Sequence, residues 1–147
     1  MQNLNQITAV IIDVAIHIHR TLGPGLLESV YQSIMAHELR KRGLLVSIEV
    51  PIPVVWEGLK QDVGFRADLI VEGGIVVEVK SLDAVHPVHR KILLTYLRVS
   101  DRRVGLLINF GEELLKNGIY RVVNNFQEES KNVQTQSVDK SPGNTTD

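Results

Sequence analysis

The apolar positions of this chain change period as the chain is followed, and the changes mark its elements. Between residues 4 and 21, Ile7, Val10, Ile11, Val14 and Ile18 recur at three- and four-residue spacing, which predicts an amphipathic helix. Gly23-Pro24-Gly25 ends it and turns the chain. A second helix is predicted to follow through Arg42, with Leu27, Val30, Ile34 and Leu39 facing inward and Gly43 as its stop. From Leu44 the pattern becomes β-branched and alternating. Val46, Ile48 and Val50 predict a strand up to Pro51, with Pro53 to Trp56 as its continuation or an edge. Glu57-Gly58 signals a turn, Gln61 to Val71 a strand, Glu72-Gly73-Gly74 a tight hairpin turn, and Ile75 to Lys80 a further strand. Pro87 suits the first turn of a helix running to Ser100, with Val88, Ile92, Tyr96 and Val99 on one face. Val104 to Phe110 is nearly all apolar, as a strand buried on both faces would be, and Ile119 to Val123 is a last short strand. The order ααβββαβ with a β end predicts an α/β fold in which helices flank a mixed β-sheet.

From Gln127 onward the chain offers almost nothing to bury, which predicts one domain over residues 1–126 and a disordered tail over 127–147. A length of 147 residues is enough for one domain with a sizeable core. With 44% hydrophobic and 22% charged residues, the chain is neither fibrous nor globally disordered. A net charge of −1 means that any nucleic-acid partner must be held by a local patch. The absence of cysteine excludes a disulfide framework and a thiolate metal site. The polar start Met1-Gln2-Asn3, and the interruption of the next apolar run by Asp13, His17, His19 and Arg20, argue against a signal peptide or a membrane span. A cytoplasmic protein with no membrane partner is therefore expected; a homodimer stays open.

Candidate chemistry gathers on two strands. Along residues 75–80, Ile75, Val77 and Val79 point one way and Val76, Glu78 and Lys80 the other. The hairpin turn at Gly73 brings Asp68 to the level of Glu78. Two carboxylates about 5 Å apart repel by roughly 3 kcal/mol at an effective dielectric of 20. Such a pair needs a cation, a proton or Lys80 as compensation. Oxygen ligands favour Mg²⁺ or Mn²⁺ over zinc. A Glu-x-Lys strand alone is more often a solvated or cross-strand-paired face, so the pattern by itself leaves both readings open. Arg90, Lys91, Arg98, Arg102 and Arg103, against Asp83 and Asp101, make either a local basic surface or an ordinary solvated helix face. The five histidines show no metal-ligand spacing.

Several segments, in order from Leu4 to Asn124, resemble the GxxExxY protein family. They are Leu22 to Tyr31, which holds Gly25, Glu28 and Tyr31; Gly64 to Val71; Ile75 to Lys80; and Val104 to Gly111. That family is grouped by resemblance with PD-(D/E)xK nucleases, whose Asp…Glu-x-Lys signature corresponds to Asp68, Glu78 and Lys80. The resemblance implies a restriction-endonuclease-like core and metal-dependent cleavage of nucleic-acid phosphodiester bonds, with DNA the expected substrate. It implies that Asp68 and Glu78 ligate Mg²⁺ or Mn²⁺, with the Val79 carbonyl as a further oxygen and Glu28 as a carboxylate from the helix. Lys80 would then act on the attacking water. Tyr31 would contact phosphate, hold Glu28 or simply pack; Arg90, Lys91 and Tyr96 complete the expected substrate contacts. In one respect the chain departs from the wider superfamily. Some relatives carry Gln-x-x-x-Tyr on the helix after the Glu-x-Lys strand, and here Ile92 stands four residues before Tyr96. The alternative is a catalytically inactive nucleic-acid-binding or protein-interaction module on the same fold; a small-molecule hydrolase is a third, blander option.

Overall fold

The structure is a computed structural model that describes residues 3–125. The tail expected from residue 127 lies outside the described residues. The elements run α1 (Leu4–Leu22), α2 (Glu28–Lys41), β1 (Val46–Trp56), β2 (Leu59–Val71), β3 (Ile75–Lys80), α3 (Pro87–Val99), β4 (Val104–Asn109), a 3-10 turn (Leu115–Gly118) and β5 (Ile119–Val123). The five strands form one sheet in the order β1-β2-β3-β4-β5. Only β3 and β4 run parallel, joined by the α3 crossover; the other pairs are antiparallel. The expected α/β fold with a mixed sheet and flanking helices is the fold observed.

Local chemistry sets the boundaries. Asn3 accepts the Gln6 amide at 2.8 Å while Gln6 reaches back to the Asn3 amide at 3.0 Å, a reciprocal cap that starts α1. Gly23, at φ 76, ends it in a conformation that costs a glycine little. Pro87 opens α3 behind His86, whose ring accepts the Val88 amide.

Every residue of β3 except Lys80, and every residue of β4, is buried. These central strands carry continuous apolar runs because both faces are covered. On one face α1 and α2 lay Ile11, Val14, Tyr31, Met35 and Leu39 over Leu69, Val77, Val79, Leu106 and Ile108. On the other face Leu93 and Leu97 of α3 pack with Ile52, Ala67, Ile70, Val76 and Leu107.

Two helix faces differ from expectation. On α2 the inward residues are Tyr31, Gln32, Met35, Ala36 and Leu39, whereas Leu27 is 73% exposed and Val30 faces solvent. On α3 they are Leu93 and Leu97, whereas Val88, Ile92 and Val99 are exposed. Both helices carry apolar residues on more than one stripe, so spacing alone does not choose between them. For α3 the choice is made by Gly105 on β4: a Cβ there would meet Leu93 Cδ1 at 3.0 Å. The bare glycine is the hollow that seats Leu93.

The hairpin of β1 and β2 is longer than the sheet that supports it. β2 pairs with β3 only through Leu69, Ile70 and Val71. Its pairing with β1 continues from Ala67 out to Leu59, shifting register between Ile52 and Val54. β1 is thus one continuous edge strand through Trp56.

Candidate active site

The β2–β3 ladder stops one level short of the acidic pair. After Leu69↔Val77 the next level would set Asp68 against Glu78. There the side chains take over from the backbone: the Asp68 amide donates to Glu78 Oε2 at 3.1 Å, and the Val79 amide donates to Asp68 Oδ2 at 2.8 Å. The strands also change face at this point. Leu69 packs on the α1–α2 side, but Ala67, two residues earlier, packs on the α3 side. β1 does the same, with Val46 on the first side and Val50 against the second. Between them Glu49 takes φ 50, a left-handed conformation that a side chain adopts only at a cost. The β1–β2 pairing runs Ile48↔Leu69, then Val50↔Ala67, and passes over Glu49 and Asp68. The broken pleat turns Asp68 out of the ladder and towards Val79.

Burial makes this pair electrostatically costly. Glu78 is 8% exposed. Its carboxyl is pushed up to about 8, first by burial and then by the charge of Asp68, against the pull of the Asp68 amide and Lys80. Asp68 is also raised, mainly by burial; the Val79 amide and Lys80 pull it down, and Glu28 and Glu49 push it up. Both shifts run in the direction that favours a proton on the pair, with Glu78 the more strongly raised. Lys80, half-buried at the end of β3, is the cation that both carboxylates feel.

The remaining expected residues divide into those the fold brings to the pair and those it does not. Glu28 opens α2, its Oε2 accepts the Ser81 amide at 3.2 Å, and its charge reaches both Asp68 and Glu78. The Val79 backbone lies against Asp68. Tyr96 stacks on Phe65 with centroids 3.7 Å apart, and burial followed by the charges of Glu78 and Asp68 raises its phenol. Tyr31 is fully buried. Its hydroxyl donates to the Gly23 carbonyl at 2.5 Å and accepts the Leu26 amide, and its ring stacks on Phe110. The burial of the ring and the use of its one hydroxyl proton on the Gly23 carbonyl are what the packing reading of Tyr31 expects. It closes the loop that holds Gly25, which sits at φ 111. Arg90 lies 4.8 Å over the Tyr120 ring of β5, and Lys91 beside it is exposed.

Sequence reasoning missed three participants. Glu49 adds a carboxylate beside Asp68, and the buried Gln32 of α2 donates to it at 3.2 Å. Asn109 is fully buried at the end of β4. Glu49 left no signal, since a polar residue in an alternating strand reads as solvated. Asn109 did leave one: a single amide closing an otherwise apolar run.

Among the described residues, no three His, Cys, Asp or Glu side chains converge to cage a metal ion on their own. The donors that do meet are hard oxygens, the carboxylates of Asp68 and Glu78. Mg²⁺ is commonly held by one or two carboxylates, with waters and substrate phosphates completing its shell. The donor set fits such an ion.

The family model of the PD-(D/E)XK nuclease superfamily matches residues 5–122, and the chain belongs to that superfamily. No curated protein matches it. None of the described helices is long and apolar enough to cross a membrane.

Proposed function

We propose that the protein is a divalent-metal-dependent nuclease of the GxxExxY type that hydrolyses phosphodiester bonds of nucleic acid, DNA before RNA, in the cytoplasm. The observation that carries this reading is the pair of bonds where the ladder opens, the Asp68 amide donating to the Glu78 carboxylate and the Val79 amide to the Asp68 carboxylate, with Lys80 two residues beyond Glu78. Two buried carboxylates cost stability when they meet, and a fold keeps them together where a cation is to be held. Asp68, Glu78 and the Val79 carbonyl would hold Mg²⁺ or Mn²⁺, with Glu28 at the edge of the set. The ion would supply Lewis-acid polarisation of the scissile phosphate and lower the pKa of a water. Lys80 would orient that water and offset the charge that develops on the phosphate. Tyr96 would lie along the substrate, held flat by Phe65, and Lys91 with Arg90 would steer the phosphate backbone.

The test is cleavage of a panel of DNA and RNA substrates with Mg²⁺ or Mn²⁺, by wild type and Lys80→Ala. The variant should retain metal and nucleic acid but lose turnover by about 10²-fold or more, as on removal of a positioned acid–base or electrostatic group. A wild-type protein that cleaves nothing on that panel would overturn the enzyme reading. The second reading, a binding module without turnover, is favoured by one observation. Ile92, at the place of the superfamily glutamine, is 41% exposed and turned to solvent. It brings no hydrogen-bonding group to the site.

A further inference from the structure

β3 ends at Lys80, yet the segment after it stays tied to β4, and one buried side chain makes the tie. Asn109 is the parallel partner of Lys80. Its Oδ1 accepts the Leu82 amide at 2.8 Å and the Gly111 amide at 3.1 Å. Its Nδ2 donates to the Leu82 carbonyl at 3.0 Å and to Glu112 Oε2 at 3.5 Å. Two donations and two acceptances use the full capacity of a carboxamide. Two of the four go to the amide and carbonyl of a single residue, so the side chain continues the β3–β4 ladder beyond its last backbone pair. The approach is close enough to exclude a side chain at Gly111, where a Cβ would lie 2.0 Å from the Leu82 carbonyl oxygen. Phe110 adds an amide to the Lys80 carbonyl at 2.8 Å.

What this clamp holds is the edge of the acidic site. Between Lys80 and Leu82, the Ser81 amide donates to Glu28 and its hydroxyl donates to the Leu26 carbonyl at 2.7 Å. Lys80, Ser81, Glu28 and the loop before α2 therefore share one support. We infer that Asn109 is a positioning residue: through Leu82 it fixes Lys80 and the Ser81 amide, and through that amide the carboxylate of Glu28. The inference rests on the metal-dependent reading of the site.

The experiment compares the full chain with Asn109→Ala and Asn109→Asp, using amide hydrogen exchange and Mn²⁺ titration calorimetry. In Asn109→Ala the Ser81 and Leu82 amides should exchange at least about tenfold faster, while the Leu106 and Ile108 amides keep their protection. Mn²⁺ affinity should fall by about 10- to 100-fold, the usual cost of losing an outer-shell partner. Asn109→Asp fills the same volume and keeps the oxygen that accepts from Leu82 and Gly111, but it turns an acceptor instead of a donor towards the Leu82 carbonyl and Glu112, so its losses should fall in the same place and be no smaller. Should the alanine variant not fold, the aspartate variant carries the same comparison. Wild-type exchange at Ser81 and Leu82, or a loss spread evenly over the sheet, would overturn the inference. A wild type that binds no Mn²⁺ would defeat the proposed function instead, and the exchange data would still decide whether Asn109 holds this segment.

Discussion

β2 and β3 meet in two ways within four residues. From Leu69 to Val71 they are an ordinary antiparallel ladder, with every residue of both strands buried. At Asp68 and Glu78 the ladder gives out, and carboxylates accept the amides that carbonyls would otherwise take. The first region is stable because apolar side chains leave water there and every backbone group has a partner. The second brings two acids into a place where neither is comfortable, with Glu49 in a left-handed conformation beside them. The regular ladder and the acidic pair are thus set side by side on the same strands, and the proposed chemistry sits where regular structure stops.

The sharpest way to break this comparison is to mutate adjacent residues of β2. Leu69 is fully buried against the α1–α2 core, and Leu69→Ala should cost about 2–5 kcal/mol by urea denaturation. Asp68→Asn, one residue away, keeps an oxygen for the Val79 amide and removes a buried charge. It should cost nothing measurable, or stabilise the metal-free protein. A loss at Asp68 as large as that at Leu69 would show that the acidic end is part of the structural ladder.

The two ends should also part in their response to pH. Glu78 has a folded pKa of about 8 against an ordinary value of 4.5. The raised value means that the folded state binds the proton more tightly than the unfolded one. The associated stability is complete below the ordinary value and is lost as pH rises through about 8. Asp68 shifts in the same direction. The melting temperature of the metal-free protein should fall across that window, with a slope of at most roughly 1.4 kcal/mol per pH unit from Glu78. Glu78→Gln should flatten the profile. Mn²⁺ affinity should rise over the same range, by up to about tenfold per unit, because binding must expel that proton. A flat profile in the wild type would mean that the pair is better solvated than its burial indicates.

How much of this was legible in the sequence follows the same division. The elements could be read because their apolar periods are regular, and the level of Asp68 with Glu78 followed from counting across the Gly73 turn. The helix faces could not. Val88, Ile92 and Val99 form as good a stripe as Leu93 and Leu97, and only the hollow at Gly105, a tertiary feature, selects between them. Gln32 and Glu49 were invisible for a related reason. Their meeting depends on the angle between α2 and an edge strand, which no local pattern encodes. Tyr31 was read in both ways, and its burial follows from the stack on Phe110, far away in the chain.

Glu49 provides the finest test of the idea that regular structure was given up for the site. A non-glycine residue at φ 50 carries a conformational cost of roughly 1–2 kcal/mol, of which a glycine is relieved. Glycine also loses more backbone entropy on folding, so the net gain from Glu49→Gly should be smaller, about 0.5 kcal/mol. Removing its charge lowers the repulsion on Asp68, which works in the same direction. Glu49→Val should do the opposite, since a β-branched residue is poorly accommodated at positive φ. Denaturation of the two variants at one pH measures both signs. If valine were tolerated as well as glycine, β1 could straighten at this position without strain. The interrupted pleat would then be maintained by Asp68 and Glu78 alone.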